Sequence, residues 1–408
     1  MIASYLFLPT FHKMELRSGD GCHAFVPSGS PGEDKSFLQS TNLLNIAGEK
    51  TDATTLWGIL FLYKEKGEAM NTILAPFNGE TLMQAAELIK AGEVVAFPTE
   101  TVYGLGGNGL DPEAVHRIFA AKERPADNPL ILHIADFAEA EPLCLISDAA
   151  RTLAEAFWPG PLTMLLPKKP AVPDAVTAGL PSVALRFPSH PVALALIRAA
   201  GCPIAAPSAN RSGKPSPTTA LHVYHDMKGR IPMILDGGDC EVGVESTVLD
   251  MTGSVPAVLR PGRVTSEQVA MVLGECRIAD SVMRPLKENE AAPSPGMRHR
   301  HYAPQGKMTL VKGDPAKVAA YIRDAYDKEK EACILAFDDH LVLYPDRVVK
   351  SMGRNAEDAA HRLFYLLREL DDLRCPRIFA ETLPENGLGL AVMNRMARAA
   401  AFDIVTLP

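Results

Sequence analysis

Apolar and polar positions divide the middle of the chain into short alternating segments. Brief apolar runs bounded by Gly, Pro, Asn or Asp are typical of buried strands. Between residues 93 and 260 the predicted strands read EVVAF, PLILHI, LTMLLP, SVALRF, PIAAP, PMILD, STVLD and AVLR. Capped helical segments lie between them, near 112–122, 148–158, 191–200 and 266–273. This alternation predicts an α/β domain with one large sheet.

Capping residues mark the ends of several predicted helices. An amphipathic helix that precedes the first of these strands has Gly92 as its C-cap. Asp111 stands as an N-cap before Pro112 at the first helical position, and Thr265 with Gln268 forms a T-x-x-Q capping box. Each cap satisfies backbone groups that a helix end leaves without partners, so the helix boundaries are predicted locally.

A second domain is predicted after a linker. Residues 284–307 show no hydrophobic period and are rich in Pro, Glu, Lys and His, which is typical of a segment between domains. Beyond them KMTLVKG, ACILAF, RVVKSMG and RIFAETL predict strands, and helices are predicted over 315–329, 356–373 and 388–400. The order of elements favours a small three-layer α/β domain.

The first 69 residues differ from the rest of the chain. RSGDGCHAFVPSGSPGEDKS is rich in Gly, Ser and Pro and has neither a helical nor a strand period. We predict that 1–69 is disordered or an extension wrongly added to the start, with Met70 as the working start. The predicted domains are then 70–280 and 308–408, joined by a linker over 281–307.

The composition of the chain argues against several classes of protein. The chain has 408 residues, is 47% hydrophobic and 22% charged, and carries a formal net charge of -8, which argues against coating nucleic acid by bulk charge. Its seven cysteines contain no C-x-x-C, so neither a disulfide framework nor a zinc knuckle is predicted. The apolar run LWGILFLY is too short to span a bilayer. We therefore expect a cytoplasmic protein.

The stretch FPTETVYGLGGNGL, residues 97–110, contains the spacing of a dinucleotide-binding loop. Gly104, Gly106 and Gly109 satisfy G-x-G-x-x-G. However, PTETVY separates the glycines from the preceding strand, so they cannot form the tight strand-to-helix turn that holds a pyrophosphate. A nicotinamide or flavin site is therefore disfavoured.

Polar residues follow several predicted strands and suggest one pocket. They are TET after the first strand, SAN in residues 208–210, and Arg186, Ser246 and Arg260. Lys122 and Arg124 end the helix that starts at Asp111. They are either partners of that helix end or, together with the arginines near strand ends, ligands of a polyphosphate. Ser208 lacks a G-x-S-x-G elbow, which argues against a hydrolase nucleophile.

These motifs together resemble the YrdC-like threonylcarbamoyl-AMP synthase family over about 73–275. The matching segments, in order, are FPTETVYGLG, KERPADNPL, FWPGPLT, ALRFP, APSANRSG, ESTV and VLRPG. PGMRHRHYAP and GLGLAVMNRMARAA resemble the linker and the C-terminal domain of the longer, two-domain form. The resemblance implies a large twisted mixed sheet with flanking helices, followed by a Rossmann-like three-layer domain.

The resemblance also implies a nucleotidyltransferase, an L-threonylcarbamoyladenylate synthase. Its substrates are L-threonine, bicarbonate and ATP, and its product serves a transferase complex that modifies the adenosine beside the anticodon of certain tRNAs. The implied ATP-binding residues are Lys122, Arg124, Asn128, Ser182, Asn210, Thr218, Arg260 and Tyr302. The implied threonine-binding residues are Thr101, His133, Arg186, Ser208 and Ser246. We assign catalysis to Lys122, Arg124, Ser208 and Asn210.

Further expectations concern the metal, the linker and the partners. Mg²⁺ is expected on the ATP phosphates without protein ligands of its own, and no other metal site is predicted. Because Tyr302 lies in the linker, we expect the linker to cover the pocket as a lid. The only RNA contact expected is weak, and no membrane contact is expected.

Two competing readings remain open. The chain could be an RNA-binding or regulatory relative that uses a basic patch formed by Arg117, Lys122, Arg124, Arg211, Lys214, Arg298 and Arg300. It could also transfer a carbamoyl group to another acceptor, although it lacks the cysteine clusters of the larger proteins that do so. Salt dependence of RNA affinity would distinguish the first reading from ATP turnover.

Overall fold

Two β-sheets of different size organise the chain. The structure, a computed structural model, describes residues 70–284 and 302–408. The predictions made for 1–69, the Met70 start and most of the linker therefore lie outside the described residues. Both sheets belong to one compact unit. Within the described ranges, no helix has the length and apolarity needed to cross a bilayer.

The large sheet has 11 strands. They are β1 (Ile73–Pro76), β2 (Val95–Phe97), β3 (Gly104–Asn108), β4 (Ile131–His133), β5 (Leu162–Pro167), β6 (Ser182–Arg186), β7 (Ile204–Ala205), β8 (Met233–Asp236), β9 (Thr247–Asp250), β10 (Ala257–Arg260) and β11 (Arg277–Ile278). The spatial order is β1-β8-β2-β3-β7-β4-β6-β5-β9-β10-β11. Parallel and antiparallel pairs both occur, so the sheet is mixed.

Helices cover this sheet. They are α1 (Gly79–Lys90), α2 (Pro112–Lys122), α3 (Asp148–Phe157), α4 (Asp174–Thr177), α5 (Pro191–Ala200), α6 (Ala220–Met227) and α7 (Ser266–Leu273). Helix α1 buries Ala85, Ala86 and Ile89. Helix α2 begins after the Asp111 N-cap, and Thr265 and Gln268 form the predicted capping box of α7. The predicted caps of α2 and α7 are confirmed, whereas the C-cap of α1 is Ala91 and the predicted Gly92 follows it at a positive φ.

The small sheet is entirely parallel. Its strands are β12 (Lys307–Lys312), β13 (Cys333–Ala336), β14 (Val349–Ser351), β15 (Arg377–Glu381) and β16 (Ile404–Thr406), in the order β14-β13-β15-β12-β16. Its helices are α8 (Pro315–Tyr326), α9 (Ala356–Asp372) and α10 (Gly387–Ala399). Helices between parallel strands are the arrangement of a Rossmann-like layer, so the predicted fold class is confirmed.

The structure adds elements that the apolar pattern did not predict. Three are strands at sheet edges or chain ends, namely β1, β11 and β16, and two are the helices α4 and α6. The most informative addition is β3, which consists of the glycine-rich residues GLGGN and pairs with β2 and β7. These glycines lie in a buried strand and not in a phosphate-binding loop, which excludes the dinucleotide fingerprint.

Candidate functional site

A cleft opens over the large sheet. The empty space within it, including volume open to solvent, is about 700 Å³. Its lining residues are Thr99, Thr101, Val102, Gly104, Lys122, Arg124, Ile131, His133, Arg186, Ala206, Pro207, Ser208, Asn210, Ser212, Ser216, Glu245, Ser246, Arg260 and Tyr302. Polar side chains and cations dominate this set.

Three cleft residues, His133, Arg186 and Arg260, lie at the carboxyl ends of strands. They are the last residues of β4, β6 and β10, and the pairings show that these three strands run in the same direction. Strands β2 and β7 run the opposite way, so the loops that follow them start from the other edge. The polar residues at these strand ends do line one cleft, as expected. Those that follow β2 and β7 leave the sheet at the end opposite to that of His133, Arg186 and Arg260.

A buried ion pair joins Arg186, at the end of β6, to Glu100 in the loop that follows β2. Nη2 of Arg186 donates to Oε1 of Glu100 at 2.6 Å, and Oε2 of Glu100 accepts a hydrogen bond from the backbone of Ser189. Both charged side chains are about 95% buried. The Nε atom of Arg186 is also buried and has no hydrogen-bond partner among the described residues. A buried donor without an acceptor is costly, so this atom points to a ligand oxygen.

Lys122 is held by the loop that contains Ser208. Its Nζ atom donates to the carbonyl oxygens of Ser208 and Asn210, the latter at 2.6 Å. Burial and the nearby Arg124 hold the pKa of Lys122 well below its usual value. A lysine with a strongly lowered pKa in a cleft is a candidate functional residue. The side-chain amide of Asn210 donates to the carbonyls of Arg211 and Lys214, so it also shapes this loop.

Two further arginines add positive charge to the cleft. Arg124 donates to the carbonyl of Asn128 at 3.1 Å, and burial lowers its pKa to about 10. Arg260 donates to the carbonyl and the hydroxyl of Ser246, and burial likewise lowers its pKa to about 10. Both guanidinium groups therefore remain charged near neutral pH, and they suit an anionic ligand.

His133 contributes no charge to the cleft. Burial, together with the positive charge of Arg186, lowers its pKa to about 3. Its ring packs edge-on against Phe97, and its Nδ1 atom lies 3.1 Å from the carbonyl oxygen of Ile131. The neutral imidazole is therefore a polar wall beside Arg186.

The second domain contacts the cleft through Tyr302 of the linker and Glu245 of the first domain. Tyr302 is buried and stacks on Phe364 of α9, with ring centroids 5.1 Å apart. Glu245 accepts hydrogen bonds from Ser216 and from Arg395 of α10. The sequence interpretation gave no ligand or positioning role to Glu100, Glu245 or Arg395. All three stand inside motifs quoted there, namely PTET, ESTV and GLGLAVMNRMARAA.

The predicted site residues fall into two groups. Ten of them line the cleft, namely Thr101, Lys122, Arg124, His133, Arg186, Ser208, Asn210, Ser246, Arg260 and Tyr302. The predicted nucleotide ligands Asn128, Ser182 and Thr218 are not among its lining residues. Asn128 is fully buried, and its side-chain oxygen and nitrogen have no hydrogen-bond partner in the described residues.

Three of the seven residues of the basic patch are paired or buried within the fold. Arg211 pairs with Glu123 at 2.5 Å, and Lys214 pairs with Asp226 at 3.0 Å. Lys122 is buried, as described above. Arg298 and Arg300 lie outside the described residues. The burial of Lys122 and the pairing of Arg211 and Lys214 therefore favour a ligand cleft over a continuous basic surface.

The protein is a two-domain α/β protein whose cleft is lined mainly by cationic and polar side chains. A family model described as Telomere recombination matches residues 87–262, and one described as Threonylcarbamoyl-AMP synthase, C-terminal domain, matches residues 264–401. The chain belongs to the threonylcarbamoyl-AMP synthase family, in its long two-domain form, which confirms the predicted resemblance.

Relatives of similar length support this assignment. The threonylcarbamoyl-AMP synthase of Bacillus subtilis is 46% identical over 332 residues, which cover 80% of this chain and 95% of that protein. The synthase of Pyrococcus abyssi is 48% identical over 322 residues, or 79% of this chain and 94% of that protein. The crystal structure of P. abyssi Sua5 complexed with L-threonine has a TM-score of 0.78 and 45% identity, covering 83% of this chain and 99% of that one.

Proposed function

We propose that this protein is a threonylcarbamoyl-AMP synthase. It converts L-threonine, bicarbonate and ATP to threonylcarbamoyl-adenylate, pyrophosphate and water, and it acts as a nucleotidyltransferase. The observation that carries the proposal is the buried Nε donor of Arg186, which lacks an acceptor at the wall of a cationic cleft. The names of the relatives, and the threonine complex of the P. abyssi protein, support the choice of substrate.

Arg186 receives the threonine carboxylate in this proposal. Its second nitrogen is held by Glu100 at 2.6 Å, so the guanidinium has a set orientation before the ligand arrives. A charge-assisted hydrogen bond from a preoriented donor contributes about 1.5–3 kcal/mol. The neutral ring of His133 and the hydroxyls of Thr101, Ser208 and Ser246 complete the threonine side of the cleft.

The chemistry explains the need for several cations. Bicarbonate takes up a proton and loses water to give carbon dioxide. The neutral threonine amine then bonds to the carbon of carbon dioxide and releases a proton, so that a carbamate forms. A carbamate oxygen then bonds to the α-phosphorus of ATP while the bond to pyrophosphate breaks. Both reactants are anions, so positive charge is needed to bring them together. Lys122, Arg124 and Arg260 supply it, and we name no general base.

Mg²⁺ is proposed to enter with ATP, where it neutralises part of the phosphate charge. Among residues 70–284 and 302–408, no group of three or more His, Cys, Asp or Glu side chains could hold a metal ion. Glu245, the carboxylate that lines the cleft, already accepts from Ser216 and Arg395. The chain thus fits a metal that is bound by substrate oxygens and water.

The product is proposed to serve the tRNA modification beside the anticodon, through a separate transferase complex. A cytoplasmic location and a weak RNA contact belong to the same proposal. The cytoplasmic location rests on the family resemblance and on the free cysteines of the described residues. The weak RNA contact rests on the family resemblance.

Pyrophosphate release by the purified full chain tests the function. We expect release from ATP and Mg²⁺ only when both L-threonine and bicarbonate are present, together with the mass of threonylcarbamoyl-adenylate. Omission of either substrate is the internal control. Absence of release, combined with RNA affinity that falls steeply with salt, would overturn the proposal in favour of the RNA-binding reading.

A further inference from the structure

The second domain places a buried guanidinium directly behind the cleft. Arg395 of α10 has the largest fully buried side chain in the described part of the protein. Its Nε atom donates to Oε2 of Glu245 at 3.0 Å, and its Nη2 atom donates to the Glu245 carbonyl at 3.3 Å. Its Nη1 atom donates to the carbonyl of Pro261. One side chain of the second domain thus binds two segments of the first.

Both segments carry a cleft residue at the adjacent position. Ser246 follows Glu245, and Arg260 precedes Pro261. These two cleft residues are bonded to each other, since Arg260 donates to the Ser246 carbonyl at 3.0 Å and to its hydroxyl at 3.1 Å. Arg395 therefore binds the backbone next to Ser246 and the backbone next to Arg260. It does not itself line the cleft.

Glu245 is the connection between Arg395 and the cleft. Its Oε1 atom accepts a hydrogen bond from the hydroxyl of Ser216 at 2.5 Å, and both residues line the cleft. Burial alone would raise the pKa of Glu245, but Arg395 and Arg260 bring it below its usual value. The carboxylate is therefore ionised, and removal of Arg395 would take away the main cation that compensates it.

We infer that Arg395 is a positioning residue for the reaction in the cleft. It acts through Glu245 and holds Ser246 and Arg260 in the geometry that receives threonine and nucleotide. The second domain is on this account part of the working site and not only a neighbour of it. The inference rests on the proposed function, because it concerns the substrates of that same cleft.

Another ion pair between the two domains provides a matched control. Arg263 lies 3.3 Å from Glu357 of α9, and these side chains are 50% and 60% exposed. Neither residue lines the cleft. An exposed pair of this kind contributes little to stability. Loss of the Arg263 pair therefore removes an interdomain contact without disturbing the cleft.

Steady-state kinetics of full-length variants test the inference. For Arg395→Met we expect kcat/KM for L-threonine to fall about 10- to 100-fold, since small displacements of binding groups cost this much. Arg395→Lys keeps a cation near Glu245 but loses the fork that also reaches Pro261, so it should recover part of the activity. Arg263→Met should stay within about twofold of the wild type.

A double variant separates positioning from stability. Arg395→Met with Glu245→Gln removes the unpaired buried charge and should restore the melting temperature toward that of the wild type. If Arg395 positions the cleft, this variant is folded but remains slow, and titration calorimetry shows weakened L-threonine binding. Should Arg395→Met fail to fold, Arg395→Lys and the double variant decide the question.

The outcomes for the inference and for the proposed function differ. A wild type that makes the adenylate, together with an unchanged kcat/KM in folded Arg395→Met, overturns the positioning role alone. Recovery of full activity in the double variant also overturns it, because a structural effect would then explain the loss. A wild type that neither makes the adenylate nor binds L-threonine overturns the proposed function, and the inference with it.

Discussion

At the scale of single residues, the cleft depends on cations whose surroundings are fixed by burial. Lys122 and Arg124 sit at the end of one helix, and the bland interpretation of such residues is that they only favour the helix C-terminus. Lys122 is buried and Arg124 is partly buried, which argues against that interpretation, since an exposed position would satisfy it. Their place in the cleft instead supports a role on the substrate phosphates.

Substitution of these two cations tests that role. We expect Lys122→Met and Arg124→Ala each to lower turnover about 10²- to 10³-fold, the scale of losing one preorganised charge stabiliser. Pyrophosphate release with saturating ATP is the measurement.

Arg117 supplies the control, because it lies on the same helix but donates to the Gly92 carbonyl, away from the cleft. Arg117→Ala should leave turnover within about twofold of the wild type. Losses below about fivefold in both Lys122→Met and Arg124→Ala would return them to the helix-end interpretation. An equal loss in Arg117→Ala would contradict a specific role of Lys122 and Arg124 on the substrate phosphates.

At the scale of elements, the glycine-rich strand β3 has a packing role. A β-carbon on Gly106 would lie 2.6 Å from the side chains of Ile204 and Phe97, closer than carbon atoms can approach. The strand runs between β2 and β7, and side chains from both fill the space beside it. The glycines thus let neighbouring side chains pack against bare backbone directly beneath the cleft.

A methyl group at this position should be costly. We expect Gly106→Ala to lower the free energy of unfolding by about 1–3 kcal/mol, because Ile204 and Phe97 must move. Urea denaturation at neutral pH is the measurement.

Gly79 at the first position of α1 is the matched control. A β-carbon there meets no atom within 4 Å. Gly79→Ala should be neutral or stabilising by less than about 1 kcal/mol, because alanine has the higher helix propensity. Similar destabilisation in the two variants would contradict the packing explanation.

At the scale of the whole molecule, burial of neutral histidine links stability to pH. His133 has a pKa of about 3 in the folded protein, against a reference value of 6.5 that the unfolded chain approaches. As the pH falls below about 6.5, His133 binds a proton in the unfolded state but stays neutral in the folded state. Stability that is present above pH 6.5 is therefore lost progressively toward pH 3.

This linkage predicts a measurable difference between variants. From pH 7.5 to pH 5, His133 should cost the wild type about 2 kcal/mol of unfolding free energy. His133→Gln should lose correspondingly less over the same interval, and urea denaturation at both pH values measures the difference. His116→Gln, at an exposed position, should keep the wild-type pH dependence. Parallel pH profiles for wild type and His133→Gln would contradict the assignment.

The sequence by itself determined the local elements of this protein. The starts of α2 and α7 are specified by Asp111 with Pro112 and by Thr265 with Gln268. In each helix the capping groups lie within three residues of each other, so the capping could be predicted. Apolar runs likewise specified the central strands. The motifs were dense enough to identify the family, and the resemblance implied the ten cleft residues. The polar residues at strand ends had independently suggested a single pocket.

Only the tertiary structure decided what those residues bond to. Strand β3 has no side chains on its glycines to produce an apolar period, so its pairing depends on β2 and β7. Arg395 and Glu245 are 150 residues apart, and nothing near either one specifies the other. Burial lowers the pKa of Lys122 and of His133, and burial is a property of the assembled fold. Local patterns encode local hydrogen bonds, whereas the charge balance of the cleft arises only where distant segments meet.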